Sequence, residues 1–144
     1  MILRQASTRD LATVEDLLTK TNLPLGGVSE SIDSFVVAEN DRRIIGTAGV
    51  ECYGPYGLLR SVAVDPSSQR QGVGRALVER LISDSEQNGL AELYLLTTTA
   101  ERYFPAFGFL EIDREDVPQE IQSTSEFKDL CPSSATVMRR LIRV

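Results

Sequence analysis

The chain has 144 residues, 42% of them apolar, a net charge of −6 and no histidine. One compact domain with a single core is the default at this length, and the acidic balance argues against a general nucleic-acid binder. The missing imidazole removes histidine triads, histidine metal sites and imidazole bases. No stretch approaches the roughly 20 apolar residues that span a bilayer, and MILRQASTRD lacks a signal peptide's apolar region. A soluble, cytoplasmic protein with no nucleic-acid or membrane partner is expected. Cys52 and Cys131 have no C-x-x-C spacing, so neither zinc nor a redox pair is suggested, and Cys52 is expected to be buried in a strand.

In chain order, Ile2 to Ala6 alternates and reads as a first strand. Ser7-Thr8-Arg9-Asp10 offers a capping-box-like start to a helix whose apolar residues Leu11, Val14, Leu17 and Leu18 keep helical spacing to about Lys20. Thr21 to Ser29, with Asn22, Pro24 and Gly26-Gly27, reads as a loop or a broken helix, either a plain connector or the border of a binding site. Ser34–Glu39 and Arg43–Tyr53 are strands joined at Asn40-Asp41-Arg42, and Gly54-Pro55-Tyr56-Gly57 turns into a third strand, Leu58–Val64. Short turns make these three antiparallel neighbours. Asp65-Pro66-Ser67-Ser68 stops the third strand. A helix then runs from Gly72 to a C-cap at Asn88-Gly89, its stripe formed by Val73, Ala76, Leu77, Leu81 and Ile82.

Ala91–Thr98 is again a strand buried on both faces. With a whole helix between them, it should run parallel to Leu58–Val64. Thr99 is expected to cap a short helix over Ala100–Phe107, ended by Gly108, before a strand at Phe109–Ile112. Pro118–Leu130 reads as a loop with one or two helical turns. Ser134–Ile142 closes the chain as a strand pairing antiparallel near Phe109–Ile112. The order βα–βββ–αβ–αβ–β is an α/β (α+β) single domain, residues 1–144, with a mixed sheet.

The glycines at the entrance of the long helix leave room for an anion on unpaired N–H groups, a phosphate cradle. A P-loop needs G-x-x-x-x-G-K-[ST], but Arg75 follows Gly74; a dinucleotide fingerprint needs a third Gly or Ala where Leu77 stands. What remains is a Gln69-Arg70-Gln71-Gly72-Val73-Gly74 turn behind Val62-Ala63-Val64-Asp65-Pro66.

That arrangement resembles the acetyl-CoA motif of the GCN5-related N-acetyltransferase (GNAT) family, and Ala100-x-x-Tyr103-Phe104-x-x-x-Gly108-Phe109 resembles the same family's next motif. The strand order is similar along the whole chain. The resemblance implies a GNAT-like acyl-CoA N-acyltransferase fold: a central, mixed, mostly antiparallel sheet with a splayed parallel strand pair and flanking helices. It implies acetyl-CoA as co-substrate, no metal, and a pyrophosphate on the backbone of Arg70 to Arg75. Val62, Ala63 and Val64 would pair with the pantetheine arm, with Gln69, Gln71, Thr97, Tyr103, Phe104 and Phe107 completing the cofactor site. Val64 N–H would be the oxyanion donor. The family also leaves room for a homodimer.

Two family features are absent. Phe104 stands where a tyrosine acid is usual, with Tyr103 rotated about 100° away on a helix, and Leu58-Leu59-Arg60-Ser61 lacks the usual strand glutamate. Glu51 on the neighbouring strand is the remaining candidate base, or else an exposed strand-end residue. Arg60, inside an apolar strand, needs a partner: it either pairs with Glu51 or, with Ser61 beside it, receives a substrate carboxylate bidentately. LLRSVAV, ELYLLTTTAERYF and EFKDLCPSSATVM further resemble the arsenic-resistance N-acetyltransferase subgroup, implying a small amino-acid-like amine as acceptor. The alternatives are a protein or peptide amine acetyltransferase and a non-catalytic acyl-CoA-binding module.

Overall fold

In the computed structural model, which describes residues 1–129 and 135–142, seven strands form one sheet. They are β1 Ile2–Gln5, β2 Phe35–Asn40, β3 Arg43–Tyr53, β4 Tyr56–Val64, β5 Glu92–Thr97, β6 Leu110–Glu111 and β7 Thr136–Leu141. Their order across the sheet is β1-β2-β3-β4-β5-β7-β6. Every neighbouring pair is antiparallel except β4 and β5, which are parallel as their helical crossover requires. The last strand does pair with the Phe109–Ile112 segment, but it enters between that segment and β5 rather than at the edge.

The helices divide between the two faces. On one face α3, Val73–Gln87, buries Leu77, Val78 and Leu81 against Ala48, Val50, Leu59 and Leu95. On the other, α1 (Leu11–Lys20) and the single turn α2 (Val28–Ser31) bury Val14, Leu18 and Val28 against Phe35 and Val37. Beside them α4 (Gln119–Gln122) and α5 (Ser125–Asp129) pack Ile121 and Phe127 onto Leu58, Tyr94 and Val137. The capping box at Ser7 forms, Ser7 N–H donating to Asp10 Oδ2 at 2.8 Å, over a 3₁₀ turn that leads into α1.

Three expectations are corrected. No helix spans Ala100–Phe107: only Phe104–Phe107 is helical, as a 3₁₀ turn. Pro105 supplies no N–H to continue a longer helix. Nor does Thr99 cap it: Tyr103 precedes the 3₁₀ turn, which has no side-chain cap, and Thr97 Oγ1 accepts from Ala100 N–H at 2.9 Å in the turn that follows β5. Cys52 is exposed rather than buried, because alternation near the end of β3 turns Glu51 inward and Cys52 outward. Cys131 lies outside the described residues.

Candidate active site

Strands β4 and β5 pair only at Tyr56–Glu92, Gly57–Leu93 and Leu58–Tyr94. Beyond Leu58 they diverge, which leaves the second half of β4 without a strand partner on that side among the described residues. A bulge produces this. Against β3, Gly49 faces Arg60 but Thr47 faces Ala63, so β4 carries one extra residue at Ser61–Val62. Ser61 takes φ +60° to make the bulge. The extra residue reverses the alternation: Leu59 belongs to the α3 core, whereas Ala63, four positions on, faces α1.

The opened seam is a narrow cleft of about 170 Å³ walled by Ser61, Val62, Leu96, Thr97, Tyr103 and Phe104. Asp65 N–H donates to Ile45 O at 2.8 Å. Peptide groups of a strand alternate sides, so the N–H of Val64 faces away from β3, across the opened seam. Its carbonyl, on the same side, accepts from Gln69 Nε2 at 3.3 Å.

The N-terminus of α3 adjoins this seam. Ala76 N–H makes the first intrahelical bond, to Gly72 O at 3.1 Å, so the N–H groups of Val73, Gly74 and Arg75 precede the ladder. The two glycines act differently. Gly72 holds φ +80° with open space around it, so it is needed for its conformation; a Cβ on Gly74 would lie 3.3 Å from Tyr103 Oη and 3.6 Å from Val64 Cγ2. Arg70 also turns through φ +67°. The exposed Arg75 guanidinium lies 3.5 Å from Glu79, an i,i+4 pair. Arg70 and Gln71 are exposed at the rim. Tyr103, half-exposed, packs edge-on to both Phe104 and Phe107, and burial pushes its hydroxyl pKa up. Phe104 is buried against Phe109 at the cleft wall, while Phe107 supports Tyr103 from behind.

Arg60 has a fully buried side chain, and its partners are all protein groups. Nη1 donates to Glu51 Oε2 at 2.7 Å and to Gly26 O; Nη2 donates to Pro24 O at 3.1 Å; Nε donates to Ser61 Oγ at 2.9 Å. Either bidentate fork of a guanidinium needs Nη1 or Nε free, so no fork is left for a substrate carboxylate. Of the two readings of Arg60, the structure carries the pair with Glu51. Glu51 in turn is buried, not an exposed strand-end residue. Its second oxygen accepts from the Tyr53 hydroxyl, and it opens toward a groove at Gly27, Ser31 and Thr124 rather than the seam. Burial, and then the bond to Glu51, raise the Tyr53 pKa well above its ordinary value. The Pro24–Gly27 loop is thus a clamp on Arg60, and a Cβ on Gly27 would sit 3.0 Å from both Nη1 and Glu51 Oε2.

One residue that sequence reasoning missed lines the seam: Glu126 of α5, with a carboxylate oxygen 3.9 Å from Arg60 Nε. It stands in the polar stretch Pro118–Leu130 with no spacing or motif to mark it. Among the described residues there is no cluster of three or more His, Cys, Asp or Glu able to hold a metal, and no helix is long and apolar enough to cross a membrane.

A family profile described as "Acetyltransferase (GNAT) domain" matches residues 31–111. An amino-acid acetyltransferase of Mycobacterium tuberculosis is 28% identical over 92% of this chain and 78% of its own length. The Escherichia coli amino-acid acetyltransferase is 30% identical over 61% of this chain, which spans only 20% of that protein. Among solved structures, a Mycobacterium tuberculosis protein in complex with CoA and NLQ superposes with a TM-score of 0.80 at 24% identity, covering 98% of this chain and 99% of that one. The Neisseria gonorrhoeae N-acetylglutamate synthase complexed with CoA and N-acetyl-glutamate gives a TM-score of 0.85 at 20% identity, covering 99% of this chain and 35% of that one.

Proposed function

Since the chain belongs to the GNAT acetyltransferase family, we propose that it transfers the acetyl group of acetyl-CoA to the amine of a small amino-acid-like acceptor, by direct attack in a ternary complex. The observation that carries this reading is the β4–β5 seam, opened beyond Leu58 and ending beside the free N–H groups of α3. The seam and the helix end give two adjoining subsites. A pantetheine arm pairs along the free edge of β4 at Val62 and Val64 as an added strand would. The pyrophosphate rests on the N–H groups of Val73, Gly74 and Arg75, with the helix dipole adding attraction. Gly74 carries no side chain there, which leaves that approach open beneath Tyr103.

Acetyl transfer needs a neutral amine, a stabilised tetrahedral oxyanion and a departing thiolate. Val64 N–H faces the seam and is the donor for the oxyanion. Phe104 offers no proton to the thiolate, which leaves unassisted or takes one from the amine through water. The amino-acid acceptor class rests on the names of the sequence relatives and on the resemblance of the C-terminal segment. Within that class an arsenic-containing glutamate analogue is the finer candidate. Arg60 builds the wall of the acceptor site; it does not clamp a carboxylate.

The test is thiol release from acetyl-CoA against amino acids, glutamate analogues, amine antibiotics and basic peptides. Turnover with small amino-acid-like amines is expected. Turnover with peptides alone would make the protein a peptide acetyltransferase, and acetyl-CoA binding with no turnover would make it a binding module.

A further inference from the structure

Two buried hydroxyls stand at one depth in the opened seam. The last β4–β5 pair is Leu58–Tyr94, and the strands run parallel from there: Ser61 follows Leu58 by three residues and Thr97 follows Tyr94 by three. Both line the cleft, and both are more than nine-tenths buried, at 5% and 8% exposure.

A hydroxyl has one hydrogen to donate and two lone pairs with which to accept. Thr97 Oγ1 has both lone pairs engaged by the turn after β5, accepting from Ala100 N–H at 2.9 Å and from Thr99 N–H at 3.4 Å. Ser61 Oγ accepts once, from Arg60 Nε at 2.9 Å. Among the described residues its hydrogen and its second lone pair have no partner. Of the two, Ser61 alone can give one proton and take another.

The donor to Ser61 is a cation held in place by Glu51 and by the carbonyls of Pro24 and Gly26. A charged N–H on the oxygen stabilises the negative charge that gathers there as the hydroxyl yields its hydrogen. The backbone sets this hydroxyl in the cleft at the cost of strain, since φ +60° at Ser61 is a conformation that suits glycine. The Tyr103 hydroxyl, by contrast, stands over Gly74 at the helix entrance.

We propose that the Ser61 hydroxyl carries the proton from the attacking amine to the departing sulfur. The proposal rests on the acetyltransferase reading above and puts Ser61 in the place of a relaying water. The neutral amine adds to the thioester carbon, which forms the C–N bond and moves the carbonyl electron pair onto oxygen, opposite Val64 N–H. The nitrogen then bears the positive charge. The oxygen's pair re-forms the C=O bond as the C–S bond breaks with its electron pair on sulfur. In the same motion Ser61 Oγ gives its proton to that sulfur and its free lone pair takes one from nitrogen. The products are the amide and CoA thiol, Ser61 ends as a hydroxyl, and no proton enters or leaves.

The test is the single-turnover rate of acetyl transfer to a small amino-acid amine, at saturating acetyl-CoA and at a pH above the amine's own pKa. It is measured in H2O and in D2O for the parent chain and for Ser61→Ala, with a thermal melt of each. General acid–base groups contribute about 10² to 10⁴ in rate, so a fall of roughly 100-fold or more is expected in Ser61→Ala. The isotope effect decides the role. Two protons move with C–S cleavage in the parent, so its rate falls in D2O; without the relay the sulfur leaves as thiolate and the effect is lost. A merely structural role lowers the rate and keeps the parent's isotope effect. Equal parent rates in H2O and D2O, an undiminished isotope effect in Ser61→Ala, or an unchanged rate in that variant overturns the proposal. If Ser61→Ala does not fold, Ser61→Gly removes the same hydroxyl and fits φ +60° without strain, and the same outcomes decide. A parent chain that binds acetyl-CoA and acetylates no amine overturns the acetyltransferase reading and this proposal together; turnover with any of those three outcomes overturns this proposal alone.

Discussion

Arg60 Nη1 donates to Glu51 Oε2 at 2.7 Å in a place where the arginine side chain is wholly shut off from solvent. The contact ties β3 to β4, and the carbonyls of Pro24 and Gly26 add the α1–α2 loop to the same guanidinium. The wall of the seam is thereby held by charge and hydrogen bonds where the sheet has lost its β4–β5 ladder.

Arg60→Met should therefore destabilise the fold by about 3–5 kcal/mol, because it leaves a buried carboxylate uncompensated. Arg60→Lys should recover little, since an ammonium cannot serve Ser61, Glu51 and two carbonyls in one plane. Urea unfolding checks both. Adding Glu51→Gln to Arg60→Met should restore part of the loss, and strict additivity of the two would remove the pair as the cause.

The two glycines of the cradle should separate. Gly72→Ala forces a Cβ into φ +80° and should lower stability by about 1–2 kcal/mol with little change in acetyl-CoA affinity. Gly74→Ala should leave the melt nearly unchanged and weaken acetyl-CoA binding about tenfold or more, its methyl facing Tyr103 Oη at 3.3 Å. Calorimetric titration with acetyl-CoA and a melt of each variant are the measurements. Equal affinity in Gly74→Ala and the parent would remove the cradle.

Val64→Pro deletes an N–H that faces the seam and makes no bond to β3, so the β3–β4 ladder survives. Losing the proposed oxyanion donor should reduce kcat about 10²- to 10³-fold. Full activity would assign the oxyanion elsewhere.

Acid should weaken the fold at two carboxylates away from the seam. Arg4, at 2.9 Å, holds Asp10 down at about 2, and the Ser67 hydroxyl and amide, followed by Lys20, hold Asp65 at about 2. A carboxylate depressed in the fold contributes stability that is complete above its ordinary value near 3.8 and is lost as pH falls through about 2. The urea midpoint should therefore fall between about pH 4 and pH 2 and stay flat above. Asp10→Asn and Asp65→Asn should each lower the neutral midpoint and reduce that slope; two unaltered slopes would place the acid transition elsewhere.

Much of the seam is legible in the sequence. Val62-Ala63-Val64-Asp65-Pro66 followed by Gly72-Val73-Gly74 is a contiguous segment whose strand, stop and helix entrance are local, backbone-determined events. So was the parallel relation of β4 and β5, which follows from the length of the chain between them. The short, uncapped turn before Gly108 departs from the apolar spacing because Pro105 supplies no N–H to a longer helix.

The sequence by itself determined the helix entrance at Gly72–Gly74 and the order of the elements along the chain, since turn chemistry, periodicity and glycine conformation act between near neighbours. Only the tertiary structure decided how Arg60 is used and that Glu126 reaches the seam. A guanidinium's partners lie 9, 34 and 36 residues away, and Glu126 comes to β4 only because Phe127 is buried beside Leu58. Such long-range charge pairing leaves no period and no motif, because it is fixed by which faces the sheet and its helices bring together.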